Sequence, residues 1–263
     1  MKKISREELN EMLVQHELWL NNKGGEQLNL RNVDLRDADL GYADLRDADL
    51  GYANLRDANL TNADLRDANL TNADLRYANL TNTNLRGIDL GCADLRDADL
   101  RNADLRNANL GNADLEYAYL KDVNLEYADL SSANLKNANL RNANLKYVKT
   151  NHLTIGYHLA CPEEGSFIGY KKANGCLVKL LILEDSKRSS ATSMKCRCDK
   201  AKVLDIIDLM TNEKIDRTKS DYDSGFIYKV GEIVQVDDFD EDRWNECTIG
   251  IHFFMNKENA IKY

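Results

Sequence analysis

Leucine occupies every fifth position from Leu30 to Leu145 without exception, 24 times in succession. Two residues before each leucine from Leu35 onward stands a small or β-branched residue, alanine in most repeats and Val33, Thr83, Ile88 or Val123 elsewhere. The consensus is Ala-(Asp/Asn)-Leu-X-X. A period of five fits neither the 3.6 of an α-helix nor the 2.0 of a strand, so the chain must turn once per repeat. If each repeat is one short side of a square, the leucine and the alanine before it point inward, and four repeats close a coil. Stacked coils then share backbone ladders about 4.8 Å apart, and six of them make a rod on the order of 30 Å long. Each coil touches only its neighbours, so both ends need covering. A coiled coil is disfavoured by the absent heptad and by asparagine and aspartate, which are poor helix formers.

The Ala-(Asp/Asn)-Leu-X-X repeat resembles that of the pentapeptide-repeat family over nearly half the chain. The resemblance implies a mainly β fold, a right-handed quadrilateral β-helix. Several relatives are described as DNA mimics that bind type II topoisomerases such as gyrase. It therefore implies a protein partner, with the chain as a phage- or bacterium-encoded inhibitor of a DNA-acting or defence protein. The chain departs from those relatives in two respects. Every central position is leucine where they commonly carry phenylalanine near a dimer interface, and about 110 residues follow the repeats where they expose a C-terminal end.

The residue after each leucine alternates with period ten: Arg36, Arg46, Arg56, Arg66, Arg76, Arg86 and Arg96 are separated by Gly41, Gly51, Thr61, Thr71, Thr81 and Gly91, and Arg106 follows after Arg101. In a four-sided coil this places charged ladders on opposite faces. Alternating aspartate and arginine columns relieve the repulsion of stacked like charges; they also offer a wall on which a protein could dock. Tyr42, Tyr52, Tyr77, Tyr117, Tyr119, Tyr127 and Tyr147 point outward, where amphipathic rings suit an interface or pack between coils. The candidate interaction surface is Arg36, Arg46, Arg56 and Arg66 with Tyr42, Tyr52 and Tyr77. Residues 31–100 carry 8 basic and 14 acidic groups, residues 101–150 carry 7 and 6, and the whole chain is at −9. That balance argues against direct binding to the nucleic-acid backbone. Around Thr81–Ile88 the alanine and aspartate preferences lapse, which predicts a local bulge or bend.

Residues Ile4 to Asn22 read as an amphipathic capping helix opened by Ser5 and Glu8, with Leu9, Met12, Leu13, His16, Trp19 and Leu20 on one stripe and Gly24-Gly25 at its end. The expected division is a cap over residues 1–27, the β-helix over 28–149 and an α+β domain over 150–263. Strands are expected at Thr154–Leu159, Phe167–Lys171, Leu177–Glu184, Lys202–Leu209, Phe226–Val230, Glu232–Val236 and Thr248–Phe254, with a helix over Asn256–Lys262. The phrases Cys161-Pro162-Glu163-Glu164-Gly165-Ser166-Phe167, Arg188-Ser189-Ser190-Ala191, Lys195-Cys196-Arg197 and Gly250-Ile251-His252-Phe253-Phe254 resemble an uncharacterised domain attached to pentapeptide repeats in bacteria and their phages. No function comes with that resemblance.

Six irregularly spaced cysteines read as free thiols of a reducing compartment. No apolar stretch approaches the ~20 residues of a membrane span, and acidic residues follow the N-terminal lysines, so the expected location is the cytoplasm. Cys196-Arg197-Cys198 lacks the paired spacing of a zinc site, and no metal or cofactor is expected. Arg188, Cys196, Arg197 and His252 are the candidate pocket of the C-terminal domain. Arg188, Lys195, Arg197, Lys200 and Lys202, interleaved with Ser189, Ser190, Thr192 and Ser193, could meet a phosphate. The acidic run Asp237–Asp242 lacks the spacing of a calcium loop. The leading expectation is a non-enzymatic protein-binding scaffold. The alternative is a nucleotide-binding or catalytic C-terminal module with the rod as spacer.

Overall fold

The structure, a computed structural model, describes all residues 1–263. It divides into two compact units, Met1–His158 and Leu159–Tyr263.

The first unit opens with Lys2–Lys3 (β1) and the helix Arg6–Leu20 (α1). Ser5 caps α1 by accepting the amide of Glu8 at 3.1 Å. β1 lies parallel to Val33–Asp34 (β2), with Lys2 opposite Val33. Leu9 and His16 are buried, and His16 Nδ1 accepts the amide of Leu28 at 3.1 Å, which fastens α1 to the first coil. Gly25 has φ +78°, and a Cβ there would lie 2.1 Å from the Gln15 carbonyl oxygen, so only glycine turns the chain back at this point. Trp19, expected on the buried stripe, is exposed.

The repeats then build a β-helix-type solenoid. Parallel bridges join each residue before a leucine to the residue twenty places on, from Asn29↔Asp49 to Asp129↔Lys149, so one coil takes four repeats. Leu30 N donates to Asp49 O at 2.7 Å and Asp49 N to Leu28 O at 3.0 Å, and this pair of bonds recurs from coil to coil. Each corner is a turn closed by the amide two before the next leucine, as in Val33 N to Leu30 O at 3.1 Å. Its third residue is left-handed in every repeat, with φ between 57° and 62° from Asn32 to Tyr147 apart from Gly87 at 71°. That geometry is the type II turn.

The corner explains the consensus. The Asp or Asn before each leucine accepts the amide two residues on, as in Gly51 N to Asp49 Oδ1 at 2.9 Å and Thr71 N to Asn69 Oδ1 at 3.0 Å. A short acceptor is therefore needed at that position. Leucine and alanine fill the interior, almost all fully buried. The bulge expected at Thr81–Ile88 does not form. Leu85 N reaches Asp104 O at 2.8 Å and Gly87 N reaches Arg106 O at 2.9 Å, as in every other coil. Thr83 fits because its hydroxyl turns inward and donates to Leu60 O at 2.9 Å. The winding also outlasts the leucines: Lys149 bridges Asp129, Ile155 bridges Asn134, and Thr154 Oγ1 donates to Leu130 O at 3.0 Å. The strand expected at Thr154–Leu159 is thus a single bridge of one more coil.

The second unit comprises Phe167–Ala173 (β3), Cys176–Ile182 (β4), Arg188–Ser190 (β5), Cys196–Cys198 (β6), Lys200–Asp208 (β7), Arg217–Lys219 (β8), Ile227–Lys229 (β9), Ile233–Gln235 (β10), Ile251–Phe253 (β11) and the helix Lys257–Lys262 (α2). All its strand pairs are antiparallel: a four-stranded sheet β10-β7-β4-β3, a three-stranded sheet β11-β6-β5 and the pair β8-β9. Tyr170 and Phe254 exchange two backbone bonds of 2.8 Å and stitch the first sheet to the chain leaving the second. Val178, Leu180, Ile182, Val203, Ile206 and Phe253 anchor one core. A Cβ on Gly169 would lie 2.6 Å from the Phe253 ring, so glycine is what lets that ring reach the sheet.

Candidate functional site

Residues twenty apart share a corner of the coil and residues ten apart lie on opposite corners, which decides where the candidate rod surface falls. Arg36, Arg56 and Tyr77 stack on one corner, Arg46 and Arg66 on the opposite one, and Tyr42 and Tyr52 on the remaining two. These seven residues form no single patch.

The arginines are also engaged by their own repeats. Arg36 Nε and Nη2 grip Asp34 at 2.9 and 2.8 Å, Arg46 grips Asp44 at 2.7 and 2.6 Å, and Arg66 grips Asp64 at 2.9 and 2.6 Å. Such bidentate pairs are the strong form of the interaction. The hydrogen bond from Arg36 holds the Asp34 carboxyl down at about 2. Further along, Arg76 spans Asp74 and Asp94 (2.6 and 3.4 Å) and Arg96 spans Asp94 and Asp114 (2.5 and 3.5 Å), so one wall carries an ionic ladder. Arg56 follows Asn54 rather than an aspartate; it pairs with Asp57 at 3.2 Å and covers the Tyr77 ring at 5.3 Å. Arg31 covers Tyr52 in the same way at 4.9 Å. Tyr127 and Tyr147 share a corner and stack at 4.8 Å, both exposed, while Tyr42 stands 80% exposed.

In the second unit the four candidate pocket residues do not converge. Arg188 spends its guanidinium on backbone carbonyls: Gly165, Leu183 and Glu184 at 2.8 Å, and Ser186 at 3.2 Å. Arg197, on β6, is buried over the Phe239 ring and donates to the carbonyls of Asp240, Asp242 and Ile249. It thereby ties down the acidic run. Cys196 lies on the opposite face of β6, fully buried, where its hydrogen bond with Cys161 and then burial push the thiol far up. Such a thiol stays protonated and is a poor nucleophile. His252 on β11 is the cross-strand partner of Arg197. Of the basic stretch from Arg188 to Lys202, Lys200 pairs with Asp185 at 2.7 Å. All six cysteines are free, and no group of three His, Cys, Asp or Glu side chains is placed to hold a metal ion.

The concave site of this unit lies elsewhere. A cavity of about 710 Å³ is lined by Lys171, Lys195, Tyr228, Cys247, His252 and Tyr263, among others. Lys195 is almost fully buried and donates to Tyr263 Oη at 3.1 Å, with Cys247 Sγ at 3.6 Å. Burial works against its charge, but the Tyr263 hydrogen bond with the fields of Cys247 and Glu246 outweighs it and raises the lysine's pKa. Lys171 lies on β3, and burial pulls its pKa down. Burial, then the fields of Lys195, Lys171 and Arg197, lower His252 to about 4, and its Nε2 is enclosed with no hydrogen-bond partner. Only His252 of the four candidate pocket residues reaches this cavity.

The family model described as pentapeptide repeats (8 copies) matches residues 26–51, 53–91, 90–126 and 118–149. A pentapeptide repeat protein from the thylakoid lumen of Arabidopsis thaliana is 33% identical over 38% of this chain and 67% of its own, with a TM-score of 0.31. The chain belongs to the pentapeptide-repeat family. A pentapeptide repeat protein from Nostoc Pcc 7120 is 28% identical, covering 52% of this chain and 93% of its own, with a TM-score of 0.29. A trypsin-treated plasmid-mediated fluoroquinolone resistance protein is 22% identical, covering 48% and 83%, with a TM-score of 0.32. Residues 157–260 match a family of unknown function (DUF5758). No curated protein matches.

This pentapeptide-repeat protein hides its most suggestive cavity residue in a strand. Lys171 alternates with Phe167, Gly169 and Ala173 in β3, the parity that faces inward. That lysine at an inward position is a signal the sequence carried. The approach of Lys195 to Tyr263, 68 residues away, left none. No helix of the protein is long and apolar enough to cross a membrane.

Proposed function

We propose that the rod is a non-enzymatic protein-binding scaffold in the cytoplasm, a right-handed quadrilateral β-helix capped by residues 1–27, wound over 28–149 with one further bridge at Ile155, and followed by an α+β module. The observation that carries the reading is the conformation of its tyrosines. Tyr42, Tyr52, Tyr77, Tyr117, Tyr127 and Tyr147 all occupy left-handed corners, with φ between 57° and 62°. Asparagine or aspartate takes that conformation with less strain, and the other corners mostly use them. Rod stability alone therefore favours polar residues at these sites. Outward aromatic rings are what a protein interface selects, and the Tyr127–Tyr147 stack is the largest such feature on one corner.

The arginines support the same division of labour. Held by their own carboxylates, they stabilise the walls rather than reach for a partner. The test is capture of partners from a host lysate by the full chain and by a Tyr127→Asn/Tyr147→Asn variant. The reading expects a partner that binds the parent and not the variant. A partner retained undiminished by the variant refutes it.

A narrower version makes the partner a DNA-acting or defence protein that this chain inhibits. It is favoured by the exposed corner carboxylates Asp37, Asp47 and Asp67, which stand clear of the arginine-gripped Asp34, Asp44 and Asp64. Inhibition of gyrase supercoiling that weakens in an Asp47→Asn/Asp67→Asn variant is the expected result. Supercoiling unchanged by the parent removes gyrase as the target.

A further inference from the structure

The cavity of the second unit joins basic groups to an apolar wall, and neither feature is needed for the rod to bind a protein. Lys171 enters it from β3, Lys195 from the loop before β6, and His252 from β11. Neither ammonium is matched by a carboxylate within ion-pair distance; Lys195 instead meets a phenol and a thiol. At Lys171, on β3, burial makes the charge costly, and an entering anion lowers that cost. Among the lining residues Asp223 is the only acid, set against two lysines. The lining also includes Phe226, Tyr228, Val236 and Ile251, which are largely apolar. A volume of about 710 Å³ lies within the range of small-molecule sites, which are mostly apolar with a few polar groups that fix orientation.

We propose that this cavity binds a small organic anion, with its acid group on Lys171 and Lys195 and its apolar body against Phe226, Tyr228 and Val236. Cys247 at the cavity lining reports occupancy, and Cys92, exposed on the rod, is the reference within the same chain.

The test is calorimetric titration of the full chain with benzoate, phenyl phosphate and neutral phenol, alongside alkylation of Cys247 and Cys92 followed by mass spectrometry. The expected result is that an anionic probe binds at least about tenfold more tightly than phenol and slows alkylation of Cys247 but not of Cys92. Whichever of benzoate and phenyl phosphate binds better identifies the acid group as carboxylate or phosphate. Lys195→Gln and Lys171→Gln each lower that affinity by about tenfold or more. Lys171→Gln guards against misfolding, because Lys171 is not part of the Tyr263 contact that Lys195→Gln removes. The proposal is overturned if neither anion binds at about 10 mM, if phenol binds as well as the anions, if both variants bind unchanged, or if binding leaves Cys247 unprotected.

Discussion

Replacing Leu85 with alanine tests whether the axial leucines hold the solenoid together. Leu85 is only 1% exposed and stands in a column with Leu65 and Leu105 one coil to either side. The substitution removes three carbons, and the loss grows with the cavity left behind; buried Leu→Ala changes cost about 2–5 kcal/mol. Here the neighbouring coils are pinned by Leu85 N to Asp104 O at 2.8 Å and Asp104 N to Thr83 O at 3.0 Å, so the walls have little room to collapse. The upper half of that range applies, about 3–5 kcal/mol. Leu145 is half-buried near the end of the winding, and the same change there costs about 1–2 kcal/mol from its smaller buried area. Urea unfolding of both variants followed by far-ultraviolet circular dichroism gives the two values. Equal losses at the two positions, or a loss below about 1 kcal/mol at Leu85, would refute an axial core whose contribution depends on enclosure by both neighbours.

Tyr42→Asn stabilises the rod by about 0.5–1 kcal/mol, because asparagine suits φ +62° better and the exposed ring has little packing to lose; an unchanged or lower urea midpoint contradicts this. Gly169→Ala destabilises the second unit by about 1–3 kcal/mol through the 2.6 Å approach of the new Cβ to Phe253, read as a fall in its melting temperature. Burial lowers the pKa of His16 in the folded chain, and its neutral Nδ1 accepts the Leu28 amide. Below about pH 6.5 the unfolded chain therefore binds more protons than the folded one, and the stabilisation by neutral His16 is lost as pH falls. Melting temperatures at pH 7.5 and 5.5 should drop further in the parent than in His16→Gln; equal drops remove His16 as the cause.

The rod was legible because its information is local. Leu30 to Leu145 at spacing five already requires a turn in every repeat, and the twenty-residue coil follows when four sides meet. The bulge expected at Thr81–Ile88 failed for a reason of packing. Departure from a consensus matters only if the substitute cannot satisfy its polar atom, and Thr83 finds the Leu60 carbonyl 23 residues back. The three-residue strands β5, β6 and β8 were invisible to pattern, being short, rich in polar residues and buried only through their partners. Arg188 and Arg197 looked like ligand-binding cations because guanidinium groups often are. Their burden of backbone carbonyls is set by loops that meet only after folding.

The sequence by itself determined the repeat length, the inward leucines and alanines, the helix that opens the chain and most strands of the last domain. Each of these depends on residues a few positions apart, whose spacing settles which side of the backbone they share. Only the tertiary structure decided that Arg197 anchors a loop and that Lys171, Lys195 and His252 open into one cavity. Those outcomes depend on distances between strands brought together by register and burial, and linear spacing does not encode them.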